Sequence, residues 1–254
     1  MAEAVRADVA LAARGLARSR TEASALIRAG QVLVDGRPVR RASERVAPTA
    51  SLTLADDGPR WVSRAAHKLV SALETFPDVA VRGRRALDAG ASTGGFTQVL
   101  LEGGAARVAA VDVGHGQLVD LVRTDPRVLV REGLNVRDLT VQDVEGAVDL
   151  VVSDLSFISL RLVMDALAGV CRPGADLLLM VKPQFEVGAD RLARTGVVSS
   201  EAERARAVEA VASAARAHGL EVLGRRRSPL PGQDGNHEFF LWCRRPGTTA
   251  ARTC

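Results

Sequence analysis

The sequence predicts an α/β protein in which a doubly wound, Rossmann-like sheet follows a small N-terminal α+β module. From residue 84 onward, strand-length apolar runs alternate with helical segments, an order typical of parallel sheets with crossover helices. One run, residues 147–156, is almost continuously apolar, as in parallel strands that are buried on both faces. Charge is also uneven, because nine arginines against five acidic residues leave +4 in the first 45 residues, which equals the net charge of the whole chain. The basic N-terminal segment is therefore predicted to be a separate module.

Composition argues against several classes of protein. At 254 residues with 47% apolar side chains, the chain can bury one large core and a smaller one. It has no run of about 18 apolar residues, and residues 1–20 lack the apolar segment of a secretory signal, so we expect neither a membrane span nor export. The cysteines, Cys171, Cys243 and Cys254, are too far apart for a zinc motif or a disulfide framework. We therefore expect a cytoplasmic protein without a bound metal.

The N-terminal module carries helix and hairpin signals. Ser19 is a candidate N-cap, and Glu22 three residues later completes a capping box, while Gly30 suits the end of that helix. The segment "QVLVDGRPV" predicts a strand that enters an Asp-Gly turn, and "SLTLAD" predicts another strand. The expected domain organisation is a module over 1–57, a polar linker over 58–63, a second domain over 64–245 and a disordered tail over 246–254.

A module of this size buries little apolar surface and is expected to work through its exterior. Its arginines predict a basic face that contacts nucleic-acid phosphates, although a merely solvated face is the alternative. The residues of this face are Arg14, Arg18, Arg20, Arg28, Arg37, Arg40 and Arg41. The pattern "SRTEASALIRAGQVLVDGRPVR" resembles the S4-type RNA-binding domain over roughly residues 5–55. That resemblance implies binding to structured RNA.

The second domain reads as a series of strands and helices. Five strands are predicted over 84–90, 107–114, 127–132, 147–156 and 175–183. A long helix begins at a cap, Ser199 or Ser200, and ends at Gly219. The segments "LEVLGRRRSPL" and "HEFFLWCRR" predict a terminal pair of strands, with the final strand antiparallel to the rest.

The loop "LDAGASTGGFT" follows the first of these strands and opens a helix. Its glycines allow a sharp turn and a close approach to a ligand at a helix N-terminus. Asp112 ends the next strand 22 residues after Gly90, a spacing that suits the hydroxyls of an adenosine ribose. Gly90, Gly94 and Gly95 depart from the dinucleotide pattern, and the D-x-G-x-x-x-G form resembles S-adenosyl-L-methionine (SAM)-dependent methyltransferases. The alternative is a loop whose small residues serve packing only. The candidate cofactor residues are Gly90, Ser92, Thr93, Gly94, Gly95, Phe96, Asp112, Val113, Asn135, Val136 and Asp154.

Four charged residues are predicted to meet at the carboxyl edge of the sheet, where ligands bind in open α/β folds. They are Lys68, Asp154, Lys182 and Glu238. Each alone has a structural alternative, such as a helix cap, a solvated turn or a surface strand residue. Of the 34 basic residues, however, only Lys68 and Lys182 are lysines. Because arginine stays protonated whereas lysine can lose its proton, this choice favours proton chemistry at the two positions.

The order Lys68, Asp154, Lys182, Glu238 is similar to the K-D-K-E tetrad of ribose 2′-O-methyltransferases of the heat-shock rRNA methyltransferase type. With "WVSRAAHKL", "LDAGASTGGFTQVLL", "LVVSDLSFISL", "LMVKPQFE" and "GNHEFFL", the chain resembles the TlyA family, some of whose members are labelled hemolysins. The resemblance implies methylation of cytidine 2′-hydroxyls in 16S and 23S rRNA, with ribosomal subunits as partners and an influence on sensitivity to cyclic peptide antibiotics. The alternatives are a hemolysin-like membrane-active protein and a methyltransferase acting on another RNA.

The chemistry of a ribose 2′-hydroxyl suggests a role for each of the four residues. Lys182 is the candidate base for the 2′-hydroxyl proton. Lys68 would favour the neutral form of Lys182 by like-charge repulsion. Asp154 and Glu238 would orient the ammonium groups and the hydroxyl. No metal is needed in this scheme.

Overall fold

The computed structural model describes residues 4–28, 30–54, 61–188, 196–232 and 235–247. Contacts divide the chain into two compact units, residues 1–61 and 62–254. Within the predicted linker, residues 58–60 lie outside the described residues, as do residues 248–254 of the predicted disordered tail.

The N-terminal unit combines two helices with five short strands. In chain order these are β1 (Val5–Arg6), α1 (Ala7–Ala13), α2 (Arg20–Arg28), β2 (Val32–Val34), β3 (Arg37–Pro38), β4 (Arg45–Val46) and β5 (Leu52–Leu54). β1 pairs with β4, and β2 lies between β3 and β5 in an antiparallel sheet. The Asp-Gly turn between β2 and β3 has Asp35 at φ 49° and Gly36 at φ 75°, as a hairpin turn with two left-handed residues requires.

Half of the predicted capping box is present at the start of α2. The Oγ of Ser19 accepts the backbone N–H of Glu22 at 3.2 Å. The Glu22 carboxylate, however, accepts the backbone N–H of Arg18 rather than that of Ser19, because it also pairs with the Arg18 guanidinium. The cap therefore reaches one residue further toward the N-terminus than the sequence pattern predicts.

The second unit is built around a seven-stranded sheet. Its elements are α3 (Ala66–Thr75), β6 (Arg85–Ala89), α4 (Gly95–Glu102), β7 (Arg107–Asp112), α5 (Asp120–Arg123), β8 (Val128–Glu132), β9 (Val148–Ser153), α6 (Met164–Gly169), β10 (Cys171–Val181), α7 (Pro183–Glu186), α8 (Glu201–Ala217), β11 (Glu221–Arg227) and β12 (Phe239–Arg244). The strand order is β11-β12-β10-β9-β6-β7-β8, and β12 is antiparallel to both of its neighbours. This is the predicted Rossmann-like arrangement with an antiparallel final strand.

Two strand ends differ most from the predicted bounds. β9 ends at Ser153, three residues before the end of the apolar run, and β10 begins at Cys171 rather than at residue 175. The early start of β10 reflects a bridge from Cys171 to Val148, after which the register shifts before Asp176. An irregular strand of this kind is not visible as an apolar run.

Alternate residues of the strands pack against helices on opposite faces of the sheet. Leu87, Val151 and Leu179 belong to a core that also contains residues of α6 and α8. On the other face, Phe240 of β12 stacks against Phe96 of α4, and Trp242 contacts Phe76, which follows α3. The sheet is thus covered on both sides, which explains the continuously apolar strands. Its carboxyl edge is left for the site.

Candidate active site

The sheet brings the four predicted charged residues to one edge. Asp154 and Lys182 are the first residues beyond β9 and β10. Glu238 immediately precedes Phe239, which pairs with Val181 at the end of β10. Lys68 lies in the first turn of α3.

These side chains form a buried ion network. The Nζ of Lys68 lies 2.6 Å from Glu238 Oε2 and 3.7 Å from Asp154 Oδ2, and the Nζ of Lys182 lies 2.7 Å from Asp154 Oδ1. All four side chains are at most 14% exposed. Both ammonium groups therefore contact one carboxylate, and two cations are balanced by two anions in a site that water barely reaches.

Ser156 is a member of this cluster that the sequence pattern did not reveal. Lys182 Nζ donates a hydrogen bond to the Ser156 Oγ at 2.8 Å. Lys182 is thus held from two sides, by the Asp154 carboxylate and by a hydroxyl two residues further along the same loop. The only sequence signal is the second serine of "SDLS", which is not distinctive by itself.

A cavity of about 570 Å³ lies beside the network. Of the predicted cofactor residues, its wall contains Gly90, Ser92, Asp112, Val113, Asn135, Val136 and Asp154. Its wall also contains six residues that were not predicted, namely Gln117, Arg137, Leu155, Ser156, Phe157 and Ile158. Since Asp154 and Ser156 belong both to the wall and to the ion network, a ligand in the cavity would lie next to the lysines.

Gly90 and Asp112 give the cavity its shape. Gly90 has φ 88°, and a Cβ there would lie 3.1 Å from the carbonyl oxygen of Asp154, so only glycine fits comfortably. The carboxylate of Asp112 accepts the backbone N–H groups of Ser92 at 2.8 Å and Gly114 at 2.7 Å. These bonds fix the carboxylate, and each of its oxygens keeps a further lone pair for a ligand hydroxyl.

Four predicted cofactor residues are not part of this wall, namely Thr93, Gly94, Gly95 and Phe96. A Cβ at Gly94 would lie 2.9 Å from the Leu118 side chain, and one at Gly95 would collide with Ser63. Phe96 is 3% exposed and stacks on Phe240. The second half of the glycine loop thus serves close packing, while its first half lines the cavity.

Phe157, on the cavity rim, is unusual in both its exposure and its backbone conformation. It is 91% exposed, and its backbone lies in the left-handed region at φ 63°. Its ring lies 5.3 Å from that of Phe185, which follows Lys182 by three residues. Such a conformation in a non-glycine residue is uncommon and points to a functional constraint.

Asp88 is fully buried beneath the cavity loop. The Thr97 hydroxyl donates to its Oδ2 at 2.7 Å, while Oδ1 has no hydrogen-bond partner among the described residues. Burial raises the pKa of the Asp88 carboxyl to about 7, against the lowering effect of the Thr97 hydrogen bond, and the negative charge of Asp154 raises it further. A proton is therefore retained by the folded protein over a range in which an exposed aspartate has lost it.

Replacing Asp88 by asparagine is expected to flatten the pH dependence of stability. The unfolded chain releases this proton near pH 4, whereas the folded chain holds it up to about pH 7, so the parent loses stability as pH rises through that window. The measurement is the Tm at pH 5 and pH 8 for the parent, Asp88→Asn and the exposed control Asp78→Asn. An equal change in Tm between pH 5 and pH 8 in all three proteins would contradict a raised pKa at Asp88.

The predicted basic face is only partly assembled in the N-terminal unit. Arg28, Arg40 and Arg41 line one depression, and Arg20 lies beside Arg28 in the next. Arg6, which was not predicted, lines the first depression, and its hydrogen bond to Asp8, together with that from Arg20, lowers the pKa of Asp8 to about 2.

The other predicted arginines lie elsewhere or have partners. Arg14 donates to the carbonyl oxygens of Ala47, Pro48 and Ala50, and so braces a loop of its own unit. Arg18 pairs with Glu22. Arg37 is exposed on β3.

Neither a membrane-spanning helix nor a metal-binding cluster occurs among the described residues. No helix in them is long and apolar enough to cross a membrane. Within the same residues, no three histidine, cysteine, aspartate or glutamate side chains are grouped as a metal site would require.

Comparison with known proteins identifies both units. Residues 61–245 match the FtsJ-like methyltransferase family, and residues 5–51 match the S4 domain. The chain is 54% identical over 245 residues to the protein named 16S/23S rRNA (cytidine-2′-O)-methyltransferase TlyA of Mycobacterium tuberculosis, covering 96% of this chain and 91% of the relative. It is 32% identical to Hemolysin A of Brachyspira hyodysenteriae, covering 93% and 98% of the two chains.

Solved structures agree with this grouping. A hemolysin-named protein from Streptococcus thermophilus superposes with a TM-score of 0.74 at 36% identity, over 96% of this chain and 89% of that one. A SAM-dependent methyltransferase from Mesorhizobium loti, 16% identical, shares the fold with a TM-score of 0.52 over 69% of this chain and 96% of that one. An S4 domain, an FtsJ-like sheet and similarity along nearly the whole length occur together here, so the chain belongs to the TlyA family of methyltransferases.

Proposed function

We propose that the protein transfers the methyl group of SAM to the ribose 2′-hydroxyl of cytidines in 16S and 23S rRNA, in the cytoplasm. The observation that carries this proposal is the buried network of Lys68, Asp154, Lys182 and Glu238 directly beside the cavity. The name of the M. tuberculosis relative supplies the substrate and the modified atom. An influence on sensitivity to cyclic peptide antibiotics would follow from the same modification.

The cavity fits SAM by the chemistry of its wall. Asp112 has free lone pairs for the two ribose hydroxyls, and Gly90 allows the ligand to approach the backbone closely. Val113 and Val136 offer apolar surface for an adenine ring, with Asn135 as a polar neighbour. When bound, SAM supplies a methyl group that its positively charged sulfur already activates.

The lysines supply what the acceptor needs. A ribose 2′-hydroxyl is a weak nucleophile, so its proton must be removed as the oxygen attacks. A neutral lysine amine has two N–H groups and one lone pair. The Ser156 hydroxyl accepts one N–H group of Lys182, and Asp154 Oδ1 lies 2.7 Å from the same Nζ, so the lone pair of the neutral amine is left for the substrate hydroxyl. Lys68, held by Glu238, places a second positive charge against Asp154.

Phe157 and the N-terminal unit supply surfaces for RNA. Sequence-specific RNA recognition usually takes bases out of the helix and stacks them on aromatic side chains, and the exposed ring of Phe157 at the cavity rim suits that task. The depression lined by Arg28, Arg40 and Arg41 suits RNA phosphates. The proposed partner is therefore a folded rRNA segment with one nucleotide turned out toward the lysines.

The test is methyl transfer from labelled SAM to purified 16S and 23S rRNA, with mass spectrometry of the digested product. A methyl group on the 2′-oxygen of cytidine is expected. Asp112→Ala serves as the matched control and should bind SAM more weakly in calorimetry, because the ribose hydroxyls lose their acceptor. Transfer only to other RNAs, or to a base atom, would overturn the proposal.

A further inference from the structure

Three consecutive arginines lie at the carboxyl edge of the sheet. They are Arg225, Arg226 and Arg227, the last residues of β11. Arg227 pairs with Phe239, and Phe239 pairs on its other side with Val181, the residue before Lys182. Because neighbouring strands lie about 4.8 Å apart, the backbone of Arg227 is only about 10 Å from the end of β10. The arginines thus flank the ion network on its own edge.

These arginines line a depression of about 770 Å³, which we call the Arg225–227 groove. Ser71 and Thr75 of α3 and Glu201 of α8 also line it, as does His237, which precedes Glu238. Arg227 Nη2 lies 2.8 Å from His237 Nε2, and burial and the positive charge of Arg227 lower the pKa of His237. Because a guanidinium only donates, the Nε2 of His237 accepts this hydrogen bond.

The charge around the groove is positive although the unit as a whole is nearly balanced. Glu201 pairs with Arg204, and Glu209 pairs with Arg216 and Arg225. Three arginines and one glutamate, Glu201, line the groove itself, which leaves a local charge of +2. Arg226 makes no hydrogen bond or ion pair with the described residues, so its guanidinium is available to a ligand.

Side-chain alternation spreads the arginines along the strand edge. Gly224 faces Phe76 on the α3 side, so Arg226 points to that side as well, while Arg225 and Arg227 point to the α8 side. Arg225 and Arg227 are separated by about 6.7 Å along the strand, a distance close to that between successive phosphates of a polynucleotide. A guanidinium also binds phosphate through two parallel hydrogen bonds.

We propose that the Arg225–227 groove binds phosphodiester groups of the RNA strand that flanks the methylated nucleotide. The proposal rests on the function proposed above and adds a second RNA contact, on the methyltransferase unit itself. The competing explanation is that arginines on the outermost strand only protect an open sheet edge from pairing with other chains. The two explanations differ in whether RNA binding depends on these residues.

The test uses the full chain with Arg225→Gln, Arg226→Gln and Arg227→Gln combined, and a 16S rRNA transcript. RNA affinity is measured over a series of salt concentrations, and methyl transfer and SAM affinity are measured in parallel. Each lost phosphate contact lowers the log–log salt slope by about 0.7 to 0.9, so a total loss of about two is expected, with a raised KM for RNA and unchanged SAM affinity. Replacing the same three residues by lysine should restore most of the slope.

The matched control removes three arginines from the opposite edge, with Arg82→Gln, Arg84→Gln and Arg172→Gln, and should keep the parent's slope. A glutamine triple variant whose slope and KM equal those of the parent would overturn the groove assignment. Failure of the parent to methylate rRNA would instead overturn the proposed function, and the salt slopes would still decide the question of the groove.

Discussion

Replacing Lys182 by arginine is expected to abolish methyl transfer to rRNA while SAM and RNA affinities stay close to those of the parent. Arginine keeps the positive charge beside Asp154 but does not lose its proton at ordinary pH, so it cannot accept the proton of the 2′-hydroxyl. General-base catalysis typically contributes roughly 10²–10⁴-fold, and the loss in rate should reach at least that range.

The measurement is single-turnover methyl transfer at several pH values, with SAM affinity determined by calorimetry. Lys68→Arg is the matched comparison, because it retains a cation next to Glu238 and Asp154 and should be damaging but less so. An active Lys182→Arg enzyme with the parent's pH profile would mean that Lys182 positions the substrate as a cation and does not take its proton.

Replacing Glu238 by leucine should cost both stability and activity. Glu238 is 2% exposed, and its carboxylate lies 2.6 Å from Lys68 Nζ, so its removal leaves a buried ammonium that only the more distant Asp154 can balance. Breaking a buried ion pair in this way costs about 3–5 kcal/mol. Chemical denaturation measures this loss directly.

The double variant Lys68→Met with Glu238→Leu separates the two effects. Removing both partners takes away the uncompensated charge, so the double variant should regain much of the stability while remaining inactive. Glu209→Leu, which disrupts an exposed pair with Arg216, is the control and should change stability little. A double variant no more stable than Glu238→Leu would show that Lys68 is not destabilised by the loss of Glu238.

The sheet and the four charged residues were predictable because each depends on local pattern and on general rules of topology. Apolar runs mark the strands, and the ends of parallel strands must share an edge, so Asp154 and Lys182 could be placed together without coordinates. The scarcity of lysine added a further reason to select Lys68 and Lys182.

Other features depend on packing that a linear pattern does not contain. Ser156 and Phe157 lie in a segment, "LSFIS", whose course is irregular, so neither the contact with Lys182 nor the exposure of the ring could be read from spacing. The role of Arg14 depends on carbonyl groups more than 30 residues away. Likewise, only the packing of Ser63, Leu118 and Phe240 shows which part of the glycine loop faces the cavity.

The position of β12 has a consequence for the folding of the chain during its synthesis. Lys68 and Glu238 are 170 residues apart in sequence, and β12 must insert between β10 and β11 before they can meet. Contacts of such long range form late, because closure of the intervening chain must come first. A nascent chain therefore acquires the Lys68–Glu238 pair only after β12 has been synthesised, and on the function proposed above a partly synthesised copy would not yet methylate rRNA.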